Sequence, residues 1–396
     1  MNNHLIDVGE AKKRIEEQAF CLSSVKLSLP DAAGKITAKN IFSPADFPSF
    51  PQSGMDGYAF AYESLGKPIL VVGEQQAGSV SLDSILSGTA IRIFTGAAVP
   101  NGADTVVIQE RCKIEDGFLI IEDEKLVKGS NVRPAGSEIK ENTLAIAAGS
   151  KLSPASIGFL ASMGLSEIEV IPSPRISIII TGNELLPITA PSEYGKVYES
   201  NAHSLLALFK QLNIDGVKVY HAKDEVEMIT DQLQQALNAS DLVLMTGGVS
   251  VGDYDFTVKV SEICGIEKVF HKIRQKPGKP LFFGKKDKVL FFGLPGNPAS
   301  VLTCFYEYVL PALEKLTARQ LSLQKVQAIF DDSYQKPAGI THFLKGMFEG
   351  EKVKLLPAQE SYKLNSFAFS NCLIMVPEAV TQIAVGEKVE IHLLPQ

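Results

Sequence analysis

Cysteine is scarce and unpaired in this chain. Its five residues (Cys21, Cys112, Cys264, Cys304 and Cys372) are scattered, with no C-x-x-C pair. That argues against disulfide staples and against a cysteine zinc site, and it predicts buried free thiols. No uninterrupted apolar run approaches the length of a membrane span. The first residues, MNNHLIDVGEAKKRIEEQAF, lack the apolar segment of a signal peptide, so a cytoplasmic protein is expected. Basic residues number 38 against 45 acidic ones, a net charge of −7. This argues against a general nucleic-acid surface, and an anionic ligand would need a local basic cluster. Internal repeats and low-complexity segments are also missing.

What remains is globular. Hydrophobic residues are 45% and charged ones 21% of 396 residues, enough for two to four domains. Residues 6–21 read as a helix capped by Asp7. From about 45 to 150, short β-rich runs (69–73, 90–94, 105–110, 118–123) alternate with Gly and Pro turns. They predict a small antiparallel β unit, inserted into another domain. A helix over 151–165 follows, with Pro154 near its start.

From 174 the order becomes strand, helix, strand. Strands are predicted at 175–181, 216–222, 241–247, 268–274 and 288–294. Helices are predicted at 200–212, with Ser200 or Asn201 as cap, then 224–238, near 254–264, and 297–316. Apolar strands alternating with helices predict a mostly parallel sheet covered on both faces, with ligands beyond the carboxyl ends of the strands. The last ~75 residues return to short β runs and predict a small barrel or sandwich.

Several loops carry candidate chemistry. In 246-TGGVSVGDYDF-256, Gly247, Gly248 and Gly252 would let backbone N–H groups approach a phosphate, and Ser250 adds a hydroxyl. Asp253 and Asp255 could hold Mg²⁺, which prefers oxygen ligands; a tight strand–helix turn with an acidic cap is the simpler alternative. The same stretch contains 248-GVSVG-252, the G-x-S-x-G nucleophile elbow of hydrolases, with His271, His342 and His392 as later candidates for its base. No HGGG-type oxyanion segment accompanies it.

In 271-HKIRQKPGKP-280, Lys272, Arg274 and Lys276 alternate and would share one face of an extended strand. Lys279 follows. These cations form either an anion clamp or a solvated strand face. The loop 293-GLPGNPAS-300, with Pro295, Asn297 and Ser300, is another strand-end turn, and two such turns on one sheet suggest a shared pocket. Glu184 in 180-ITGNEL-185 could orient a ligand or cap a helix. In 52-QSGMDGYA-59 and 94-FTGAAVPNGAD-104, spacing alone favours a turn-forming role for Asp56 and for Thr95-Gly96.

Taken together, seven segments resemble the molybdopterin molybdenumtransferases: 52–59, 95–104, 130-SNVRPAGSEI-139, 181–185, 246–257, 276–280 and 293–300, in family order along the chain. The resemblance implies a multidomain α/β plus β protein. A linker domain would comprise 1–45 and 141–172, and an inserted β domain 46–140. A three-layer α/β/α molybdopterin-binding domain would cover 173–318, and a C-terminal β barrel 319–396. It implies a homodimer in which the inserted domain reaches the partner's cleft, and a handover of substrate from the adenylyltransferase of the same pathway. The implied reaction takes adenylylated molybdopterin and molybdate, releases AMP and needs a divalent ion, Mg²⁺.

By family match, Asp255 and Ser250 lie at the phosphate cleavage site, with Gly247, Gly248 and Gly252 around it. Lys272, Lys276 and Lys279 neutralise phosphate and molybdate charge. Glu184, Asp224 and Asp255 serve as metal ligands. Asn201, Pro295 and Ser300 line the pocket, and Asp56 and Thr95 are the functional residues of the inserted domain. Three positions depart from the family pattern. Asn183 stands where Asp is usual, Thr341 where Arg is frequent, and Lys345 where Arg is common. The last keeps charge but loses the bidentate fork. An adenylyltransferase sharing the central fold, and a non-catalytic scaffold, are the alternative functions.

Overall fold

The computed structural model describes residues 5–79, 84–248 and 256–395. They form two compact units, one built from 1–25 with 171–396 and the other from 26–170.

The larger unit contains a six-stranded sheet ordered Lys218–Ala222, Ile176–Thr181, Leu242–Thr246, Val289–Leu294, Phe282–Lys286, Glu267–His271. The first four strands are parallel; Phe282–Lys286 runs opposite to them, and Glu267–His271, antiparallel to it, resumes their direction. Strand Phe282–Lys286 was not among the strands expected from sequence. The run 176-ISIIIT-181 is buried at every position. Its side chains alternate between two cores, because successive residues on a strand point to opposite faces. Ile176, Ile178 and Ile180 pack with Leu205 and Phe209 of helix Asn201–Gln211. Ile179 packs on the other side with Ile229 and Leu233 of helix Val226–Ala239, and with Val260 of helix Phe256–Ile263. The result is three layers. Each large aliphatic side chain so buried contributes about 1.5–3 kcal/mol, so Leu233→Asp would detach one covering helix.

Helix Val8–Gln18 belongs to this unit and buries Val8, Ala11 and Ile15 in the first of the two cores. Asp7 caps it by accepting the Glu10 N–H at 2.8 Å. For helix Asn201–Gln211, Ser200 occupies the cap position without a side-chain bond. The Glu199 carboxylate accepts the Ala202 N–H instead.

The helix expected over 297–316 is not uniform. It runs Pro298–Cys304, then a π turn over Phe305–Val309, then Leu310–Thr317. Pro311 is the cause: it has no N–H to give the Glu307 carbonyl, and its ring would collide there. The wider turn moves that carbonyl aside, and Leu310 N–H bonds back to Phe305.

The C-terminal strands close into a five-stranded barrel. Thr341–Glu349 pairs with both Lys352–Leu355 and Cys372–Val376; Lys388–Leu393 and Lys325–Phe330 complete the ring.

The smaller unit carries a six-stranded sheet ordered Thr105–Ile108, Gly57–Phe60, Thr89–Ile93, Leu70–Gln75, Phe118–Ile121, Cys112–Glu115. It is mixed rather than antiparallel, because Leu70–Gln75 runs parallel to Thr89–Ile93. A helix, Pro154–Ser162, starts from a Ser153–Ser156 capping box with Pro154 in its first turn. All five cysteines are free. Cys264, Cys304 and Cys372 are buried, but Cys112 is half-buried and Cys21 exposed, so the expectation of uniformly buried thiols is corrected. Among the described residues, no helix is long and apolar enough to cross a membrane.

Candidate active site

Four parallel strands end at one edge of the large sheet, where Thr181, Thr246 and Leu294 lie nearly level across the ladder. The turns that follow come close together. Gly247 has φ +84°, and a Cβ there would sit 2.2 Å from the Thr181 carbonyl oxygen, so the turn tolerates only glycine. A Cβ on Gly296 would lie 4.0 Å from the Gly247 Cα, so the turns after 246 and 294 touch.

Buried polar atoms gather at this edge. Thr181 Oγ1, Asn201 Oδ1, Asp224 Oδ1 and Thr257 Oγ1 are buried without a hydrogen-bond partner among the described residues. Asn201 donates from Nδ2 to the Gly296 carbonyl at 2.9 Å. Asp224 uses its other oxygen to accept the Asn183 N–H at 3.2 Å, and Asn183 Oδ1 accepts the Asp224 N–H at 3.4 Å. An unpartnered buried polar atom costs about 1–3 kcal/mol, and a polar ligand relieves that cost.

Beside them lies a cavity of about 410 Å³ lined by Lys276, Lys279, Pro295, Asn297, Ser300 and Ser361, among others. Asn297 Nδ2 donates to Ser361 Oγ at 2.8 Å, so the barrel contributes a wall. A second cavity of about 350 Å³ shares Lys276, Pro277, Gln359 and Ser361 with it.

The cationic segment differs from its expected form. Strand Glu267–His271 ends before Lys272, whose φ is +73°. Lys272, Arg274 and Lys276 therefore do not share one strand face. Arg274 is held by the Leu5 carbonyl, Asp7 and Glu378, and Lys272 is not among the residues lining the cavity. Lys276 and Lys279 line it together.

Lys345 also has a definite place. It is 3% exposed, and its ammonium donates to the carbonyls of Ala358, Glu360 and Lys363. All three donors are thus engaged in fastening the loop that carries Gln359 and Ser361. Burial pushes its pKa down from the ordinary lysine value. Thr341 sits in the barrel, where its N–H bonds the Arg274 carbonyl at 3.0 Å. Gln359 and Ser361 carry no recognisable motif, because they enter the cavity from a loop far along the chain.

Glu184 is exposed, in a turn where its carboxylate lies 3.0 Å from the position a Cβ on Gly182 would take. Ser250, Gly252, Asp253 and Asp255 lie outside the described residues. Among the described residues, no three His, Cys, Asp or Glu side chains converge to hold a metal ion. The buried free oxygen of Asp224 is a donor suited to a hard cation. Two of the later histidines are already engaged elsewhere. His342 Nδ1 is bonded to Tyr334 at 2.7 Å, and His392 is buried between Glu307 and Glu390.

The smaller unit holds its own polar cluster. Asp56 Oδ1 accepts from Thr95 N at 2.8 Å and from Thr95 Oγ1 at 2.7 Å. The backbone bond, then the hydroxyl bond, hold the Asp56 carboxyl below the usual carboxylate range, with help from Arg92. Arg92 stacks over Tyr58 and Phe94 at 5.1 and 5.2 Å. Gly57 is required beside Asp56, since a Cβ there would sit 1.9 Å from the Val107 carbonyl oxygen.

Three family models match in chain order: the MoeA N-terminal region (domains I and II) over residues 6–164, a probable molybdopterin-binding domain over 177–315, and the MoeA C-terminal region (domain IV) over 327–394. A molybdopterin molybdenumtransferase of Haemophilus influenzae is 33% identical across 96% of this chain and 98% of its own length. The chain belongs to the molybdopterin molybdenumtransferase family. A second member, from Staphylococcus aureus strain Mu50, is 31% identical over 98% of this chain and 95% of its own. A crystal structure described as the molybdopterin biosynthesis MoeA protein of Pyrococcus horikosii superimposes with a TM-score of 0.85. It is 27% identical and covers 98% of this chain and 99% of that one.

Proposed function

We propose that this chain inserts molybdenum from molybdate into adenylylated molybdopterin and releases AMP. The observation that carries this reading is the edge of the large sheet. Buried polar atoms of Thr181, Asn201 and Asp224 have no partner there among the described residues, and Asn201 joins them to a cavity wall facing Lys276 and Lys279. Such an edge suits the polar groups of a phosphate-bearing pterin, and the two ammonium groups suit an oxyanion.

In this reading the turns at 247–248 and 295–297 seat the substrate's phosphates. Lys276 and Lys279 hold molybdate and offset the charge that grows as the phosphoanhydride is cleaved. Water cleaves the phosphoanhydride and AMP leaves; the two dithiolene thiols then bind molybdenum, and their protons carry off one molybdate oxygen as water with the metal's oxidation state unchanged. Ser250 and Asp255 are assigned to the cleavage site by family match alone. Asp224, with Glu184 and Asp255, would hold Mg²⁺, which supplies charge neutralisation at the phosphates. Asp56 and Thr95 act from the smaller unit, across a homodimer. The substrate would arrive from the adenylyltransferase that makes it, in the cytoplasm.

The test is AMP release from adenylylated molybdopterin, with and without molybdate and Mg²⁺. Release that needs both, and collapses in Asp255→Ala, supports the reading. Intact substrate binding with no release under any condition would make this a non-catalytic member.

A further inference from the structure

Two lysines can hold an oxyanion together only if the short loop between them is rigid. Lys276, Pro277, Gly278 and Lys279 make that loop, and its inner side rests on one buried amide. Gln275 is 1% exposed. Its Nε2 donates to the Pro277 carbonyl at 3.0 Å and the Gly278 carbonyl at 3.3 Å. Its Oε1 accepts the hydroxyl of Tyr308, which is fully buried. The hydroxyl fixes which end of the amide faces the loop, so both N–H groups point at carbonyls.

Packing closes the remaining freedom. Gly278 has φ +90°, and a Cβ there would sit 2.5 Å from Cys304 Sγ and 2.8 Å from Gln275 Nε2. The residue before the amide is fixed as well, since Arg274 is bonded to Leu5, Asp7 and Glu378. Tyr308 itself lies in the π turn that Pro311 imposes, so this irregular turn presents the hydroxyl.

We propose that Gln275, oriented by Tyr308, is the positioning residue that holds Lys276 and Lys279 as a preformed oxyanion clamp. The claim rests on the function proposed above. Gln275 borders the same cavity, but its side-chain amide is engaged by the Pro277 and Gly278 carbonyls and the Tyr308 hydroxyl, so it acts through the backbone of 277–278. A preorganised clamp binds more tightly because the ordering is already complete before the ligand arrives.

The experiment compares wild type, Gln275→Met and Tyr308→Phe. Met keeps the bulk of the side chain but has no N–H; Phe keeps the ring but frees the amide to rotate. Calorimetric titration with molybdate alone, titration with AMP alone, thermal unfolding and amide hydrogen exchange over 273–281 are measured on each full-length protein. Gln275→Met is expected to raise the molybdate Kd about tenfold, and Tyr308→Phe about threefold, the scale of one lost or loosened buried hydrogen bond. AMP affinity stays near wild type and exchange over 273–281 accelerates, while Gln275→Met, which leaves the buried Tyr308 hydroxyl unpaired, lowers the unfolding midpoint and still folds. A molybdate Kd within twofold of wild type in either folded variant, with unchanged exchange, overturns the proposal. So does a parallel loss of molybdate affinity, AMP affinity and stability in both, which would mark Gln275 as a general core residue. Wild-type protein that takes up no molybdate overturns the function proposed above, and exchange over 273–281 then decides the positioning claim alone.

Discussion

Asn201 donates through Nδ2 to the Gly296 carbonyl at 2.9 Å while its Oδ1 lies buried with no partner among the described residues. One end of the amide braces the wall of the lysine-lined cavity, and the other end is free to accept. Asn201→Leu should therefore raise KM for adenylylated molybdopterin about tenfold, near 1.4 kcal/mol. It should change kcat little. Stability should shift by about 1 kcal/mol or less, because one bond is lost and one unsatisfied acceptor goes with it. Steady-state kinetics with a melting curve would check this, and an unchanged KM would remove Asn201 from the site.

Lys345 makes a prediction of the opposite kind. Its ammonium binds three carbonyls of the loop at 358–363 and none of the cavity. Lys345→Met takes one donor from each, although Ala358 keeps the Ser366 hydroxyl and Glu360 keeps the Lys363 N–H, so the cost is about 1 kcal/mol, the low end for a lost buried donor. The loop carrying Ser361 should loosen first, seen as faster hydrogen exchange over 356–363 at a lower denaturant midpoint. If exchange there is unchanged while molybdate affinity falls, Lys345 touches the oxyanion directly and the assignment fails.

These two residues also mark what the sequence can disclose. Local signals are legible in it: the Asp7 cap, Pro154 at a helix start, and the apolar strand 176-ISIIIT-181 covered on both faces. Each depends on near neighbours, and each has its expected form in the structure. The shared strand face expected for Lys272, Arg274 and Lys276 fails because Lys272 turns the chain at φ +73°. Nothing in the spacing of the lysines announces that turn. The π turn has a local cause in Pro311, whose missing N–H disturbs a regular helix. Gln275 and Gln359 are silent in the sequence because their decisive contacts are tertiary. Gln275 meets Tyr308 across 33 residues, and Gln359 meets Lys345 across 14. Glu307 meets Lys12 across 295 residues and His392 across 85, and no periodicity records such a pairing.

In the smaller unit, Thr95 supplies two bonds to one oxygen of Asp56. Thr95→Val removes the hydroxyl and keeps the backbone N–H. The Asp56 pKa should rise part of the way toward its ordinary value, since the backbone bond is the larger cause of its depression. Carboxyl NMR titration reads this directly. No movement would mean that the hydroxyl bond does not form in solution.

His342 should make the barrel sensitive to moderate acid. Burial, then the charges of Lys336 and Lys276, push its pKa down from 6.5 to about 4. A folded-state value below the unfolded one means that the unfolded chain takes up the proton first. Stability is then full above pH 6.5 and declines as pH falls toward 4. In His342→Gln that part of the decline should disappear. Denaturant midpoints across this range test it, and an identical slope in the variant would exclude His342 as the source.

Glu307 sets a second limit at lower pH. It is 2% exposed, pairs with Lys12 through one oxygen and meets His392 Nδ1 at 2.6 Å through the other. Burial works against its charge, but the His392 bond and the Lys12 charge outweigh it and hold the carboxyl below the ordinary 4.5. A depressed carboxyl stabilises the fold above pH 4.5, and that stability is lost as pH falls through the lower folded value. Removing Lys12 leaves the carboxylate buried with one partner. Lys12→Met should destabilise by about 3 kcal/mol, the low end for a broken buried pair, since Lys12 is partly open to water. Burial then dominates Glu307, its pKa rises, and the acid limb of the stability curve moves to higher pH. Adding Glu307→Gln removes the stranded charge and should recover part of the loss, because an unpaired buried carboxylate is worse than a neutral amide of the same shape. Urea unfolding of the single and double variants between pH 4 and 8 tests the whole chain of inference. A Lys12→Met protein within about 0.5 kcal/mol of wild type at neutral pH would show that the pair is solvated and structurally idle.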